Sequence, residues 1–196
     1  MTAVIRLAAE ADAAAIQAIY APYVRGTVIS FELEPPSVDE MARRMGQAAA
    51  WLVCADGIGP VLGYAYAGKH RDRAAYQWSL DVSAYLDPAF HRRGLGRGLY
   101  TALFGLLRQQ GYYNAYAGIA LPNAASLGLH TAMGFEPVGV YRGVGYKFGR
   151  WHDVAWLSLS LLPRAETPAP PRPLAAILDS AQARAALAAG AALCRL

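Results

Sequence analysis

The sequence predicts an α/β (α+β) domain, on three observations. Runs with strand character alternate with stretches of helical apolar spacing through the first 162 residues. Two strand runs, Trp51 to Ala55 and Val61 to Ala67, flank the turn Asp56-Gly57-Ile58-Gly59-Pro60, which should fold them into an antiparallel hairpin. And with 55% hydrophobic and 16% charged residues, a chain of 196 residues can bury one full core and leaves room for only a very small second domain.

In chain order, Val4 to Leu7 reads as a strand, and Asp12 suits the N-cap of a helix over Ala13 to Tyr20. Arg25 to Pro36 reads as irregular, broken by Gly26, Pro35 and Pro36. Ser37-Val38-Asp39-Glu40 is a capping-box pattern that opens a second helix ending near Gln47. After the hairpin, Tyr76 to Leu86 reads as a strand with Trp78, Leu80, Val82, Ala84 and Leu86 on one face and Ser79, Asp81, Ser83 and Tyr85 on the other. Asp87-Pro88 stops it. Helix Arg97 to Arg108 and strand Tyr113 to Ala120 follow, then a helix capped by Asn123 and closed near Met133 by Gly134. Phe135 to Tyr141 and Val154 to Leu161 are the last strands. Residues 163–173 hold five prolines and form an extended linker to an Ala/Leu-rich helical tail, 174–196, which packs on the body or on another subunit.

Charge and composition narrow the function. The net charge of +4 favours an anionic ligand, but the basic residues are scattered, which argues against nucleic acid. Cys54 and Cys194 are far apart and belong to no Cys/His cluster, so neither a disulfide framework nor a metal site is expected. Arg6, Glu10 and Asp12 interrupt any signal peptide, and the apolar stretch Ala185 to Cys194 is shorter than the roughly 20 residues of a membrane span. A cytoplasmic protein is expected.

The central motif is His91-Arg92-Arg93-Gly94-Leu95-Gly96-Arg97-Gly98, between a strand and a helix. Glycines allow close backbone approach, the helix N-terminus offers N–H groups and positive potential, and three arginines add charge. These features suit a phosphate or pyrophosphate. A P-loop needs G-x-x-x-x-G-K-[ST], which is absent. A dinucleotide fold needs a third glycine, where Leu99 stands, and an acidic residue about 20 positions on, whereas no Asp or Glu occurs between Asp87 and Glu136. Coenzyme A remains, since its pyrophosphate needs only the N–H cradle. A glycine-rich turn with solvated arginines is the alternative.

The loop resembles the [QR]-x-x-G-x-[GA] element of the GNAT acetyltransferases, with Gly94 and Gly96 as its glycines and His91 in place of Gln or Arg. Asn123, Ser126 and Met133-Gly134-Phe135 resemble the asparagine-containing helix that follows in that family. Ser30-Phe31-Glu32, Gly63 to Ala67, Ala75-Tyr76, Leu121-Pro122-Asn123, Leu129-His130, Gly145-Tyr146-Lys147 and Trp151-His152-Asp153-Val154 narrow the resemblance to phosphinothricin N-acetyltransferases, from about Ile5 to Leu162. It implies a mixed, mostly antiparallel sheet flanked by helices, a GNAT domain over 1–162, and acetyl-CoA as cosubstrate with no metal. Ser83, Ala84 and Tyr85 would edge the acyl-pantetheine arm, with the sheet splayed where it enters. His91, Arg92, Arg93, Gly94, Leu95 and Gly96 would hold the pyrophosphate, and Asn123 would contact the arm.

Acetyl transfer to an amine needs a base for the ammonium, a donor for the oxyanion and an acid for the thiolate. The resemblance implies Asp81 as the base, where similar enzymes carry glutamate, with an exposed strand aspartate as the alternative, and His130 as the acid, where many GNAT enzymes carry tyrosine and the phosphinothricin-type enzymes histidine, with a packed or capping helix histidine as the alternative. Arg71, Arg73 and Tyr76 precede the Asp81 strand and suit an anionic group on an amino-acid-like acceptor. Phe31, Glu32, Lys147, Trp151 and His152 are further pocket candidates, with solvated or packing roles as the alternative. Expected is N-acetylation of a small amino acid such as phosphinothricin or methionine sulfoximine. Another acceptor, such as a polyamine or a protein N-terminus, and a coenzyme A-binding protein without turnover are the competing functions. A homodimer is expected from the family.

Overall fold

A computed structural model describes residues 2–196. In chain order it contains β1 (Ala3–Leu7), α1 (Ala13–Gly26), α2 (Val38–Gln47), β2 (Ala50–Asp56), β3 (Val61–Lys69), β4 (Ser79–Leu86), α3 (Leu95–Gln110), β5 (Asn114–Ala120), α4 (Ala124–Ala132), β6 (Glu136–Lys147), β7 (Arg150–Ser160) and α5 (Ala181–Ala191). The seven strands form one sheet in the order β1-β2-β3-β4-β5-β7-β6. Every neighbouring pair is antiparallel except β4 and β5, which run parallel. The expected mixed, mostly antiparallel sheet flanked by helices is what the chain forms.

The β4 alternation assigns the two faces. Leu80 and Val82, each 3% exposed, pack with Leu99, Leu103, Phe104 and Leu107 of α3, whereas Tyr85 joins the cluster under α1 and α2 with Tyr20, Val24, Met41, Trp51 and Tyr64. Asp81 and Ser83 share the parity of Tyr85 and so face the α1/α2 side. Two expected caps form: Ser37 Oγ accepts from the Glu40 N–H at 3.1 Å, and Asn123 Oδ1 accepts from the Ser126 N–H at 3.1 Å.

Several elements differ from expectation. Asp12 does not cap α1; its carboxylate accepts from the Ala9 N–H at 2.7 Å and takes both Nη groups of Arg6 at 2.6 and 2.8 Å. The helix itself runs on to Gly26 through Pro22, because Ala21 and Val24 continue its buried face. Tyr76 lies in a 3-10 turn and not in β4, which begins at Ser79. β6 extends to Lys147 and β7 begins at Arg150, because Phe148 (φ 51°) and Gly149 (φ 75°) close a two-residue hairpin turn.

The tail seats on the body. α5 crosses α3 where Gly98, Ala102 and Gly105 face Ala186 and Gly190, small residues that let the two backbones approach. This seat brings Cys194 next to Cys54, with the two thiol sulfurs 3.9 Å apart and both free. Residues 163–173 have no helix or strand, but they hydrogen-bond to the body. The Trp78 Nε1–H donates to the Ala169 carbonyl at 2.8 Å, and the Arg172 N–H to the Gln110 carbonyl at 2.7 Å.

Candidate active site

The parallel pairing of β4 with β5 is short: Ser79 with Asn114, Leu80 with Ala115, and Asp81 with Tyr116. Beyond Asp81 the strands part. The opening is a narrow cleft lined by Val82, Ser83, Ala84 and Tyr85 on one side, Ala117 to Ala120 on the other, and Tyr100, Asn123 and His130 from the helices. Asp81 therefore stands at the apex of a V, and the edge groups of Ser83 to Tyr85 on its open arm have no strand partner on that side. The cleft gathers Ser83, Ala84 and Tyr85 from β4 with Asn123 and His130 from the cap and body of α4.

At the far end of β4, Asp87 Oδ1 accepts from the Ala89 N–H at 2.9 Å and turns the chain toward the loop. Arg92 (φ 58°) and Gly94 (φ 81°) are both left-handed, an alternation that curls successive N–H groups toward one concave side. The first bond within α3 runs from the Gly98 N–H to the Gly94 carbonyl, so the amides of Leu95, Gly96 and Arg97 have no acceptor within the helix. Leu95 offers only its backbone, since its side chain is buried in the core. Gly98 belongs to the seat of α5 and not to the loop. Arg92, Arg93 and Arg97 are exposed around the loop, with the Arg93 guanidinium 5.3 Å from the Phe90 ring. His91 turns to Tyr23. The Tyr23 O–H is spent on the Leu86 carbonyl at 2.6 Å, so His91 Nε2 must donate to the Tyr23 oxygen at 3.1 Å. The tail braces this loop from outside, the Arg195 N–H donating to the Arg93 carbonyl at 2.8 Å. A diphosphate fits these residues: free amides, a helix N-terminus and three cations converge, and no carboxylate stands among residues 88–135.

His130 is 5% exposed. Its Nδ1 donates to the Ser126 carbonyl at 2.8 Å, which leaves Nε2 to accept from the Tyr100 O–H at 3.0 Å. Burial pulls the imidazole pKa below its ordinary value, against the opposing Ser126 bond. Both ring nitrogens are thus occupied, and His130 and Tyr100 form one hydrogen-bonded pair lining the cleft.

Asp81 is half-buried, and burial raises its carboxyl pKa, opposed by His70 and Arg71. Its Oδ1 lies 2.6 Å from His70 Nδ1. Sequence reasoning missed His70. Within His70-Arg71-Asp72-Arg73 it reads as part of a solvated turn, and only its nearness to the β3–β4 hairpin could have pointed across to Asp81. Tyr76 lies edge-on to His70 at 6.0 Å, and the Arg71 guanidinium sits 6.0 Å from the Trp156 ring. Arg73 is exposed before the 3-10 turn.

On the face of Asp81, a cavity of about 470 Å³ is lined by Tyr20, Met41, Arg44, Tyr66, Gly68 and Lys69, with Gly68 the register partner of Asp81. Glu32 walls it indirectly, accepting from Arg44 Nη1 at 2.7 Å and from the Tyr20 O–H at 3.0 Å. Phe31 packs over Gly145, beside the His152 ring. Lys147 does not line the cavity. It is buried, and its ammonium donates to the Val24 carbonyl at 2.6 Å and the Ser30 carbonyl at 2.7 Å, bracing the α1–α2 connection. His152 is likewise buried, donating from Nε2 to the Lys147 carbonyl at 2.9 Å, and Trp151 is exposed on β7. Among the described residues there is no cluster of three or more potential metal ligands, and no helix is long and apolar enough to cross a membrane.

A sheet splayed between two parallel strands, with an amide-rich loop at the head of the following helix, defines an acetyltransferase fold, and residues 5–156 match the family model described as Acetyltransferase (GNAT) domain. Over 173 residues the chain is 39% identical to the phosphinothricin N-acetyltransferase of Streptomyces viridochromogenes, an alignment covering 87% of this chain and 92% of that one. It is 37% identical over 172 residues to the L-methionine sulfoximine/L-methionine sulfone acetyltransferase of Pseudomonas paraeruginosa, covering 86% of this chain and all of that one. A GNAT superfamily phosphinothricin acetyltransferase from Sinorhizobium meliloti, solved in complex with AcCoA, superposes with a TM-score of 0.80 at 35% identity, over 87% of this chain and 97% of that one. The chain belongs to the GNAT acetyltransferases, in their phosphinothricin N-acetyltransferase branch.

Proposed function

We propose that the chain transfers the acetyl group of acetyl-CoA to the amino group of a small amino-acid-like acceptor, with phosphinothricin and methionine sulfoximine as the first substrates to test. The observation that carries this reading is the position of Asp81, the last paired residue of β4 before the strands part. Bound acetyl-CoA supplies an activated acyl carbon. The amides of residues 92–97 bind its diphosphate, assisted by Arg92 and Arg93, and the edges of Ser83, Ala84 and Tyr85 with Asn123 hold the arm in the cleft. The Asp81 carboxylate assists the loss of a proton from the acceptor amine. The Tyr100–His130 pair protonates the thiolate. The acceptor enters from the cavity on the α1/α2 face, with Arg71, Arg73 and Tyr76 meeting its acidic group and Glu32 holding Tyr20 and Arg44 in the wall. The arginines disfavour a polycationic acceptor.

Exposed apolar side chains on the edge hairpin of β6 and β7, among them Val138, Tyr141, Val144, Tyr146, Phe148 and Trp151, support the expected homodimer, since a second copy would cover them.

Thiol release from acetyl-CoA over an amine panel tests the reading. Turnover with phosphinothricin or methionine sulfoximine supports it. Turnover confined to polyamines or peptide N-termini replaces the acceptor. Tight acetyl-CoA binding without turnover on any amine removes the enzymatic role.

A further inference from the structure

We propose that His70 is the base that takes the proton of the acceptor amine, and that Asp81 acts through it, fixing its tautomer and aim. The inference rests on the acetyltransferase reading above and names the group that carries the proton.

Three observations place the ring. His70 Nδ1 and Asp81 Oδ1 are 2.6 Å apart, a charge-assisted distance at which Nδ1–H donates to the carboxylate, so that in the neutral ring the lone pair sits on Nε2. The ring cannot turn freely. It stacks on Tyr116 at 4.5 Å and 20°, and it meets Tyr76 and Trp156 edge-on at 6.0 and 6.2 Å. Tyr116 is the β5 partner of Asp81 at the last pair before the splay, so the stack sets His70 beside the apex of the V. Among the described residues Nε2 has no hydrogen-bond partner, and it is not among the sealed unpartnered atoms, so it remains open to an incoming group. A carboxylate that orients an imidazole whose far nitrogen is free is the arrangement of a general base. The charged and titratable groups facing the ring are Asp81 from β4, Arg71 beside it, Tyr76 from the turn and Tyr116 from β5.

The protons balance. The acceptor ammonium gives one proton to His70 Nε2, and Asp81 offsets the imidazolium charge. The neutral amine then forms the C–N bond as the C–S bond breaks. Its second proton ends on the departing thiolate, and His70 returns the first to solvent.

His70→Asn separates this role from a structural one, because the Asn amide can still donate to Asp81. With the acceptor found active on wild-type protein, turnover of the variant at pH 7 should fall about 10²–10⁴-fold, while acetyl-CoA affinity stays within threefold. The deficit should shrink as pH rises past the amine pKa, about 8 for an α-amine, since free amine then needs no base. Variant turnover within threefold of wild type at pH 7, or the same deficit at every pH from 7 to 9.5, overturns the proposal. Long-range ¹H–¹⁵N NMR of the labelled chain decides the geometry without turnover. The Nδ1–H tautomer of His70 is expected, and an Nε2–H tautomer overturns the assignment. Wild-type protein that transfers acetyl to no amine overturns the functional reading instead, an outcome distinct from an active enzyme indifferent to His70.

Discussion

Gly98→Ala should destabilise the protein although it replaces a glycine inside a helix. Helix propensity alone favours alanine by about 1 kcal/mol. At Gly98, however, an added Cβ would stand 2.5 Å from the Gly190 carbonyl oxygen and 2.6 Å from Cys194 Sγ. The nearer atom is backbone and cannot rotate aside, so α5 must move off α3. Overpacking of this kind costs about 1–3 kcal/mol, and a backbone collision belongs in the upper half of that range. The net loss is then roughly 1–2 kcal/mol, and each kcal/mol lowers Tm by about 2–4 °C in a chain of this size. Gly46→Ala is the matched control. Gly46 also lies in a helix, α2, and its Cβ would meet nothing within 4 Å. Calorimetric scans should therefore show opposite signs, Tm rising for Gly46→Ala and falling by roughly 2–8 °C for Gly98→Ala. A Gly98→Ala protein as stable as wild type would refute the close seat of α5 on α3, and with it the bracing of the loop at Arg93.

Two further outcomes follow from the buried polar groups. Burial raises the Asp81 pKa in the folded chain, so its ionised form opposes folding. That stability is fully present below the unfolded carboxyl pKa, about 3.9, and is lost as pH rises through the higher folded value. Asp81→Asn should therefore melt higher than wild type at pH 7, the gap closing toward pH 4, while turnover at saturating substrate falls; unchanged turnover would remove Asp81 from catalysis. Tyr100→Phe removes the donor to His130 Nε2 and leaves a buried acceptor unpaired, at a cost of about 1–3 kcal/mol, readable as a lower chemical-denaturation midpoint at constant m-value; an unchanged midpoint would show that the bond contributes nothing.

Much of this arrangement is written in local sequence. Ser37 and Asn123 mark their helix starts because a side-chain acceptor must sit at that position to satisfy an orphan N–H. The alternation from Leu80 to Leu86 gives the two faces of β4, and the His91 to Gly96 run gives the loop, because each depends on neighbours in sequence. What escapes is set by contacts across the fold. His70 reads as one more polar residue in a charged turn until β3 and β4 pair and bring Asp81, the partner of Gly68, within reach of its ring. Lys147 reads as a surface cation, yet it crosses to the carbonyls of Val24 and Ser30, more than a hundred residues away. The β6–β7 extension is hidden because its residues are exposed on β6, so no buried alternation marks it, and Gly143 and Gly145 read as breakers. Gly98 reads as a loop glycine because the helix that presses on it lies some ninety residues downstream.

Amide hydrogen exchange with and without acetyl-CoA tests the cleft most directly. The amides of Leu95, Gly96 and Arg97 have no helical acceptor and should exchange freely in the unliganded protein. Added acetyl-CoA should slow exchange there and along Ser83 to Tyr85, and leave α5 and the β6–β7 hairpin unchanged. Binding that protects other segments and leaves these exposed, or no binding at all, would contradict the assignment of the V between β4 and β5 as the thioester site.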